Sequence, residues 1–448
     1  MVFSSGGHNR MKTPIIWAGI AISFVIPLWA QQTGGSASQS SAPDAAAMQQ
    51  QIRDLQDRII SLEGQMRLLK NAQLGPAAPA ETAAAPLARP APEVPMAAVT
   101  APSEQTTTFG GAGGSAAKAL NPDISVIGDF IGATGTGTVP ALAQQQPFPS
   151  MQMHESEIGL QAIIDPYARG DFFISFGEEG VNLEEGYITF TALPKSFVVK
   201  VGKMRSVFGK VNMMHNHVLP WIDRPLVTTN LVGGEDGIDD AGVSIQRIIP
   251  APKGIFLEAT GQVFRGDSGS GLQSVFKSWQ RSDVSTVAHL RSYKDITEST
   301  NVDIGLSYAR GYNNFGPNFL TSLYGVDATV RWKPLRRSIY HSFVGRSELF
   351  WSQRQQLPIE QRAFGFYTSA DYQLGRRWFL GGRFDRSGRS QFANLTDQGG
   401  SIVLTYWPSE FSQIRGQYRY TNYAENRSAN ELLLQLIFSL GAHGAHPF

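Results

Sequence analysis

The side chains most able to do chemistry crowd into one stretch, residues 204–241. It carries Arg205, Lys210, His215, His217, Asp223, Arg224, Glu235, Asp236, Asp239 and Asp240. The chain has no Cys in 448 residues, which excludes thiol catalysis, disulfides, iron–sulfur clusters and Cys-ligated zinc. His215-x-His217 and His443-x-x-His446 have spacings that can hold a metal. No carboxylate at a fixed offset completes either pair, so no metal and no other cofactor is expected. Residues 132–137 are glycine-rich, but no helix follows them, so they read as a loop and not a phosphate cradle. What the 204–241 stretch offers is electrostatics. Acid on one long connection, facing base on an opposing wall, would set a transverse field between them. Candidate wall residues are Arg331, Arg346, Arg383, Arg415 and Arg419, because each alternates with apolar neighbours.

A wall requires strands, and the sequence supplies them. Lys plus Arg number 38 against 37 Asp plus Glu, a net charge of +1, which removes the basic excess of a nucleic-acid binder. From residue 121 to 440 there is no helical period. Sixteen short alternating stretches recur instead. They are 124–131, 158–164, 171–176, 183–192, 197–201, 242–248, 255–264, 286–291, 302–309, 323–332, 339–351, 364–374, 378–385, 401–407, 411–422 and 432–440. After even stretches the breaks are tight, as at Asp165-Pro166, Lys333-Pro334 and Gly375-Arg376. After odd ones they are mostly longer and polar. An even count with short turns on one side and long loops on the other predicts an all-β fold, a 16-stranded antiparallel transmembrane β-barrel. In the fifteenth stretch Ile414, Tyr418 and Tyr420 alternate with Gln413, Arg415, Gln417, Arg419 and Thr421. Trp332, Trp351, Tyr372, Trp378, Trp407, Phe411 and Tyr423 cluster at strand ends, as aromatic girdles do.

The N-terminal part divides into three. Arg10 and Lys12 precede an apolar run ending at Ala30, so residues 1–30 read as a signal peptide with its start at Met11. Residues 48–71 carry a heptad seam that includes Ile52, Leu55, Ile59, Leu62, Met66 and Leu69, and predict a short coiled-coil helix. Arg58 and Glu63 flank this seam in the pattern of trimeric coils. Residues 72–118, rich in Ala, Pro and Gly, form a linker, and 119–448 form the barrel. The coil then lies in the periplasm, where it reinforces a trimer or reaches peptidoglycan.

The run Gly202-Lys203-Met204-Arg205-Ser206-Val207-Phe208-Gly209-Lys210 leads on to Asn212, His215, His217, Leu219-Pro220-Trp221, Asp223-Arg224-Pro225 and residues 237–242. It resembles the outer-membrane porin superfamily that includes the phosphate-selective porins O and P. The terminal Phe448 resembles the aromatic read by barrel-assembly machinery. The resemblance spans residues 121–448 and implies a third loop, 204–241, folded into the barrel, where its charges form a water-filled constriction that sorts solutes by charge. It also implies a homotrimer in outer-membrane lipid, passing small hydrophilic solutes or ions with no bond made or broken. The dense basic ladder of the phosphate porins is not present, which leaves the solute open. Two rivals stand beside this expectation. One is a structural anchor tied to the cell wall through the coil. The other is a barrel hydrolase, which needs a Ser/His/acid set at the lipid boundary. In this reading only His289 and His341 fall on strands, neither with a motif-defined serine.

Overall fold

The computed structural model describes residues 122–441 except Gln146, Glu179 and Ser270. The signal peptide, the coiled coil, the linker, the His443/His446 pair and Phe448 lie outside the described residues. The strands are β1 (Asp123–Gly137), β2 (Met151–Asp165), β3 (Ala168–Gly177), β4 (Gly180–Phe190), β5 (Phe197–Arg205) and β6 (Asp239–Ile249). Then come β7 (Ile255–Phe264), β8 (Ser285–Thr297), β9 (Thr300–Tyr312), β10 (Leu320–Trp332) and β11 (Phe343–Arg354). The last are β12 (Gln361–Gly375), β13 (Trp378–Gly388), β14 (Thr396–Ser409), β15 (Ser412–Tyr423) and β16 (Arg427–Gly441). Each strand pairs antiparallel with its sequence neighbours, and β1 closes on β16 from Ser125↔Gly441 to Gly137↔Ala429. Closure leaves no edge strand to cap.

Each of the sixteen alternating stretches overlaps one strand, because a two-residue period puts one face outward and the other inward. On β14, Ile402 is 62% exposed and Val403 only 1%. On β16, Leu432, Leu434, Leu436, Phe438 and Leu440 point out while Leu433, Gln435, Ile437 and Ser439 point in. The same parity corrects two girdle residues. Trp407 continues the inward series Val403, Thr405 and packs on Ile127 and Ile437. Tyr423 continues Arg419, Thr421 and packs on Ala143 and Ala429. Trp351, Tyr372, Trp378 and Phe411 do face outward.

Many strands run past the expected bounds, β2 from Met151 and β8 to Thr297 among them, and two connections change in kind. The β10–β11 connection occupies residues 333–342 and holds Arg337 at φ 68°, so Lys333-Pro334 is not a tight turn and His341 is not on a strand. The long third connection, L3, is residues 206–238, not 204–241. Arg205 pairs with Asp239 and Met204 with Asp240 in the β5–β6 ladder. The ladder runs on through these charges because each finds a counter-charge: Arg205 at Glu184, Asp239 at Lys203, Asp240 at Arg265.

The interior is only partly polar. Phe208, Leu219, Trp221, Val227, Leu231 and Ile238 of L3 pack against the inward residues Phe264, Leu323, Phe350 and Tyr367. A loop with its own apolar face thus gives the barrel an internal core on one side of the lumen.

Candidate constriction site

L3 is anchored at its neck. Ser206 N–H donates to Ile238 O at 2.8 Å. The Asn212 side chain donates to Ser206 O at 2.9 Å and accepts from Ile238 N–H at 2.9 Å. Gly209 sits at φ +63°, and a Cβ there would lie 2.7 Å from the Phe350 ring. Only glycine brings the loop this close to the wall in a left-handed turn. Just beyond it, Val211 N–H donates to Glu348 Oε1 at 3.0 Å, and Lys210 N–H donates to the same oxygen. The Lys210 ammonium reaches Asp303 at 3.0 Å and Thr329 at 3.1 Å.

The far half of L3 carries a helical turn, α1 (Leu226–Leu231), which leans on β11–β14. Leu226 N–H donates to Asp385 at 3.1 Å and the Asn230 amide to Asp397 at 3.2 Å. Just before α1, Asp223 Oδ2 accepts from Arg383 at 2.9 Å and from Arg419 at 2.8 Å, while its Oδ1 accepts from Gln417. Burial opposes ionisation of Asp223, but the two guanidiniums hold its carboxyl well below the usual carboxylate range. Arg383 also covers the face of Trp221 at 4.9 Å. Arg415 donates to Trp221 O at 3.2 Å and to Gln435 at 2.9 Å. Three of the five wall arginines therefore grip the loop.

The other two lie elsewhere on the inner wall. Arg331 is 3.8 Å from Asp303, and Arg346 pairs with Asp371. Asp240 braces the β7–β8 connection, accepting from Gly266 and Asp267 N–H at 2.7 Å each. Asp236 offers its carbonyl to Arg205 at 2.9 Å. Arg224 donates to Asn216 Oδ1 and to the carbonyls of Val211 and Met214, an internal brace of L3. Burial and the nearby Arg205 push its guanidinium down, to about 9.

On the opposite flank L3 meets a group that alternation alone does not reveal. His215 Nδ1 is 2.5 Å from Glu157 and 3.2 Å from Glu184, and its Nε2 is 2.9 Å from Glu185. Burial alone would lower the imidazolium, but hydrogen bonds to these three carboxylates raise it well above 6.5. Burial lowers the neighbouring His217. His154 lies 2.9 Å from Glu235, and the Asn216 amide reaches both Glu155 and Glu235. The cause of the omission is local. The ladders shift register between Asp129 and Phe130 and between Phe173 and Ile174. Such bulges turn consecutive residues, His154-Glu155 and Glu184-Glu185, inward together, which strict alternation hides. The pairs of adjacent charges are the available signal.

Between these flanks a cavity of about 50 Å³ remains, lined in part by Asn216, Asp223, Arg224, Glu235 and Arg419. Gln145 and Gln273 line it too, and both also line a neighbouring cavity of about 450 Å³ formed by the β1–β2 and β7–β8 connections. The Glu235 side chain is 48% exposed. In contrast, Asp223 and Arg419 are buried in their ion pairs.

The fold and this site define a closed sixteen-stranded barrel with its third connection folded inside. No family model matches the chain. An uncharacterized protein of Aquifex aeolicus (strain VF5) is 28% identical over 384 residues, covering 74% of this chain and 81% of that protein. Among solved structures, OmpF of Salmonella typhi is 9% identical at a TM-score of 0.49, covering 72% of this chain and 99% of its own. The outer membrane channel DcaP of Acinetobacter baumannii is 12% identical at 0.48, covering 71% and 96%. The anion-selective porin of Comamonas acidovorans is 9% identical at 0.48, covering 71% and 99%. Similarity at this level carries no function across, so the barrel's own geometry must.

Proposed function

We propose that the chain is an outer-membrane porin that lets small hydrophilic solutes or ions diffuse through its barrel, with no bond made or broken. One observation carries the reading. A closed barrel with an apolar outward face holds L3 inside it, and a cavity bordered by Glu235, Arg224, Asp223 and Arg419, with Phe148 and Ile222, remains beside the loop. A closed sheet suits hydrocarbon because every backbone group finds a partner. Both strand ends of the barrel lie on the short-turn side, which is the periplasmic side in this reading and so the side of the N-terminal coil. We further propose secretion through residues 1–30 and a homotrimer supported by the 48–71 coil. Phosphate selectivity is not part of the proposal. Arg291, Arg346, Arg383, Arg389 and Arg419 each meet a carboxylate, which leaves no free basic ladder among them. A hydrolase reading gains little from His289, whose partner Ser307 at 2.9 Å lies with it on the inward face, away from lipid.

The apolar packing of L3 favours one second reading, a largely closed barrel that anchors the cell wall. Planar-bilayer recording with purified full-length protein separates the two. Stepwise conductance is expected; persistent silence from correctly folded protein rejects the porin and leaves the anchor.

A further inference from the structure

The flank of L3 that does not lean on β11–β14 is fastened by a group with unusual composition. His215 and His217 come from the loop, Glu157 from β2, and Glu184 and Glu185 from β4. The ligand-capable atoms of Glu157, Glu184 and His215 all lie within 4.8 Å of one another. Donors at about 2.1 Å around a tetrahedral ion stand roughly 3.4 Å apart, so modest contraction closes these three around an ion. His217 Nδ1 is 4.0 Å from Glu157 Oε2, and its imidazole forms no hydrogen bond among the described residues. The side chain of His217 is 11% exposed and that of Glu157 only 4%. The Phe173 ring lies against His215, with centroids 5.2 Å apart.

Charge balance points the same way. Three carboxylates gather here against two groups able to carry positive charge, Arg205, taken up at 2.8 Å by Glu184, and His215, so one carboxylate is left without a counter-charge. Burying carboxylates without full compensation is costly, and a cation bound by them offsets that cost. The donor set is mixed imidazole nitrogen and carboxylate oxygen. It suits a divalent first-row transition ion better than calcium or magnesium, which favour all-oxygen shells.

We propose that His215, His217, Glu157 and Glu184 bind one such divalent cation, which clips L3 to β2 and β4. His215 coordinates through Nδ1, which faces Glu157 and Glu184, while its Nε2–H donates to Glu185 at 2.9 Å and so fixes the ring. The clip fixes one flank of the constriction, as the Asp223 ion pairs fix the other.

The test uses Zn²⁺ on chelator-treated, detergent-purified full-length protein, followed by isothermal titration. Binding is measured without any channel assay, so its failure is separate from failure of the porin reading. One Zn²⁺ per chain is expected. Glu157→Gln weakens binding roughly tenfold or more, and the His215→Ala/His217→Ala double variant abolishes it. His443→Ala/His446→Ala, in the tail, leaves it intact, and Ca²⁺ does not compete. Absence of binding to the wild type, or its survival in the His215/His217 double variant, overturns the site. Loss in the tail variant overturns it as well. Should the double variant not fold, Co²⁺ bound to the wild type decides. Visible bands of protein-coordinated cobalt support the clip, and a spectrum of hydrated cobalt rejects it.

Discussion

Arg383 on β13 binds Asp223 of L3 twice, donating to its backbone carbonyl at 2.8 Å and to its Oδ2 at 2.9 Å. The pair is almost fully buried and shares Oδ2 with Arg419. Removing one partner of a buried pair costs about 3–5 kcal/mol, because the other charge is stranded. Asp223→Asn should therefore free the loop before α1 without unzipping the barrel. Single-channel recording should show a larger and noisier open state, while heat-resistant migration of the folded barrel persists. Unchanged conductance would mean that Asp223 is not the latch.

The same pair sets a pH dependence. Asp223 is depressed from 3.8 in the fold, so its stabilisation is present above that value and is lost as pH falls through the lower folded value. From about pH 7 to about pH 5 this contribution should stay constant, and it should fade in stronger acid. Conductance of Asp223→Asn, compared with wild type from about pH 7 down to about pH 2, checks the sign. The difference between them should be flat at neutral pH and shrink at the acid end. A difference that already shrinks near neutrality would reject the assignment.

Gly209 makes a second, steric prediction. Any Cβ there meets Phe350 at 2.7 Å and Glu348 Oε1 at 2.8 Å, on a left-handed backbone that costs an L-residue roughly 1–2 kcal/mol. Gly254, at φ +79°, carries the same backbone demand, but the Cβ of an alanine there would meet nothing within 4 Å. Gly209→Ala should therefore expose L3 to trypsin at Lys210, and Gly254→Ala should not. Equal protection in both variants would show that close approach of loop to wall is unimportant.

The outward alternation can be tested on adjacent positions of β14. Ile402→Arg places a charge on the apolar face, at about 2–4 kcal/mol if that face meets the middle of a bilayer. Ser401→Arg points inward beside Arg383 and Arg419 and avoids lipid altogether. Refolding into lipid vesicles should fail mainly for Ile402→Arg. Equal yields would speak against a membrane-facing exterior.

These positions also show what a sequence can reveal. The sheet is legible because two environments act on alternate residues of every strand, and Ile402/Val403 or Leu432/Leu433 record that directly. Trp407 and Tyr423 depart from the girdle because parity, not position at a strand end, decides which way a side chain points. His154 and Glu184 are hidden by bulges, which break the period where the loop docks. The partners of Asp223 are not legible at all. Closure of the barrel brings Arg383 and Arg419 to it from far along the chain, and no local pattern encodes which arginine a loop carboxylate meets.

Ion choice should follow the charge that meets solvent, not the charges buried in ion pairs. Glu235 is half exposed at the cavity beside L3, held by the Asn216 amide at 2.7 Å and by His154. Arg419 across the cavity is already shared between Asp223 and Glu431. Glu235→Gln removes the most exposed charge at this cavity, so it should move the reversal potential in a salt gradient toward anions, with Glu235→Arg moving it further. Arg415→Gln is the informative contrast. Its guanidinium is buried against Trp221 O and Gln435, so its loss should act on loop position and conductance more than on selectivity. If Arg415→Gln shifted the reversal potential as much as Glu235→Arg, the permeating path would have to run along β15 and not beside Glu235.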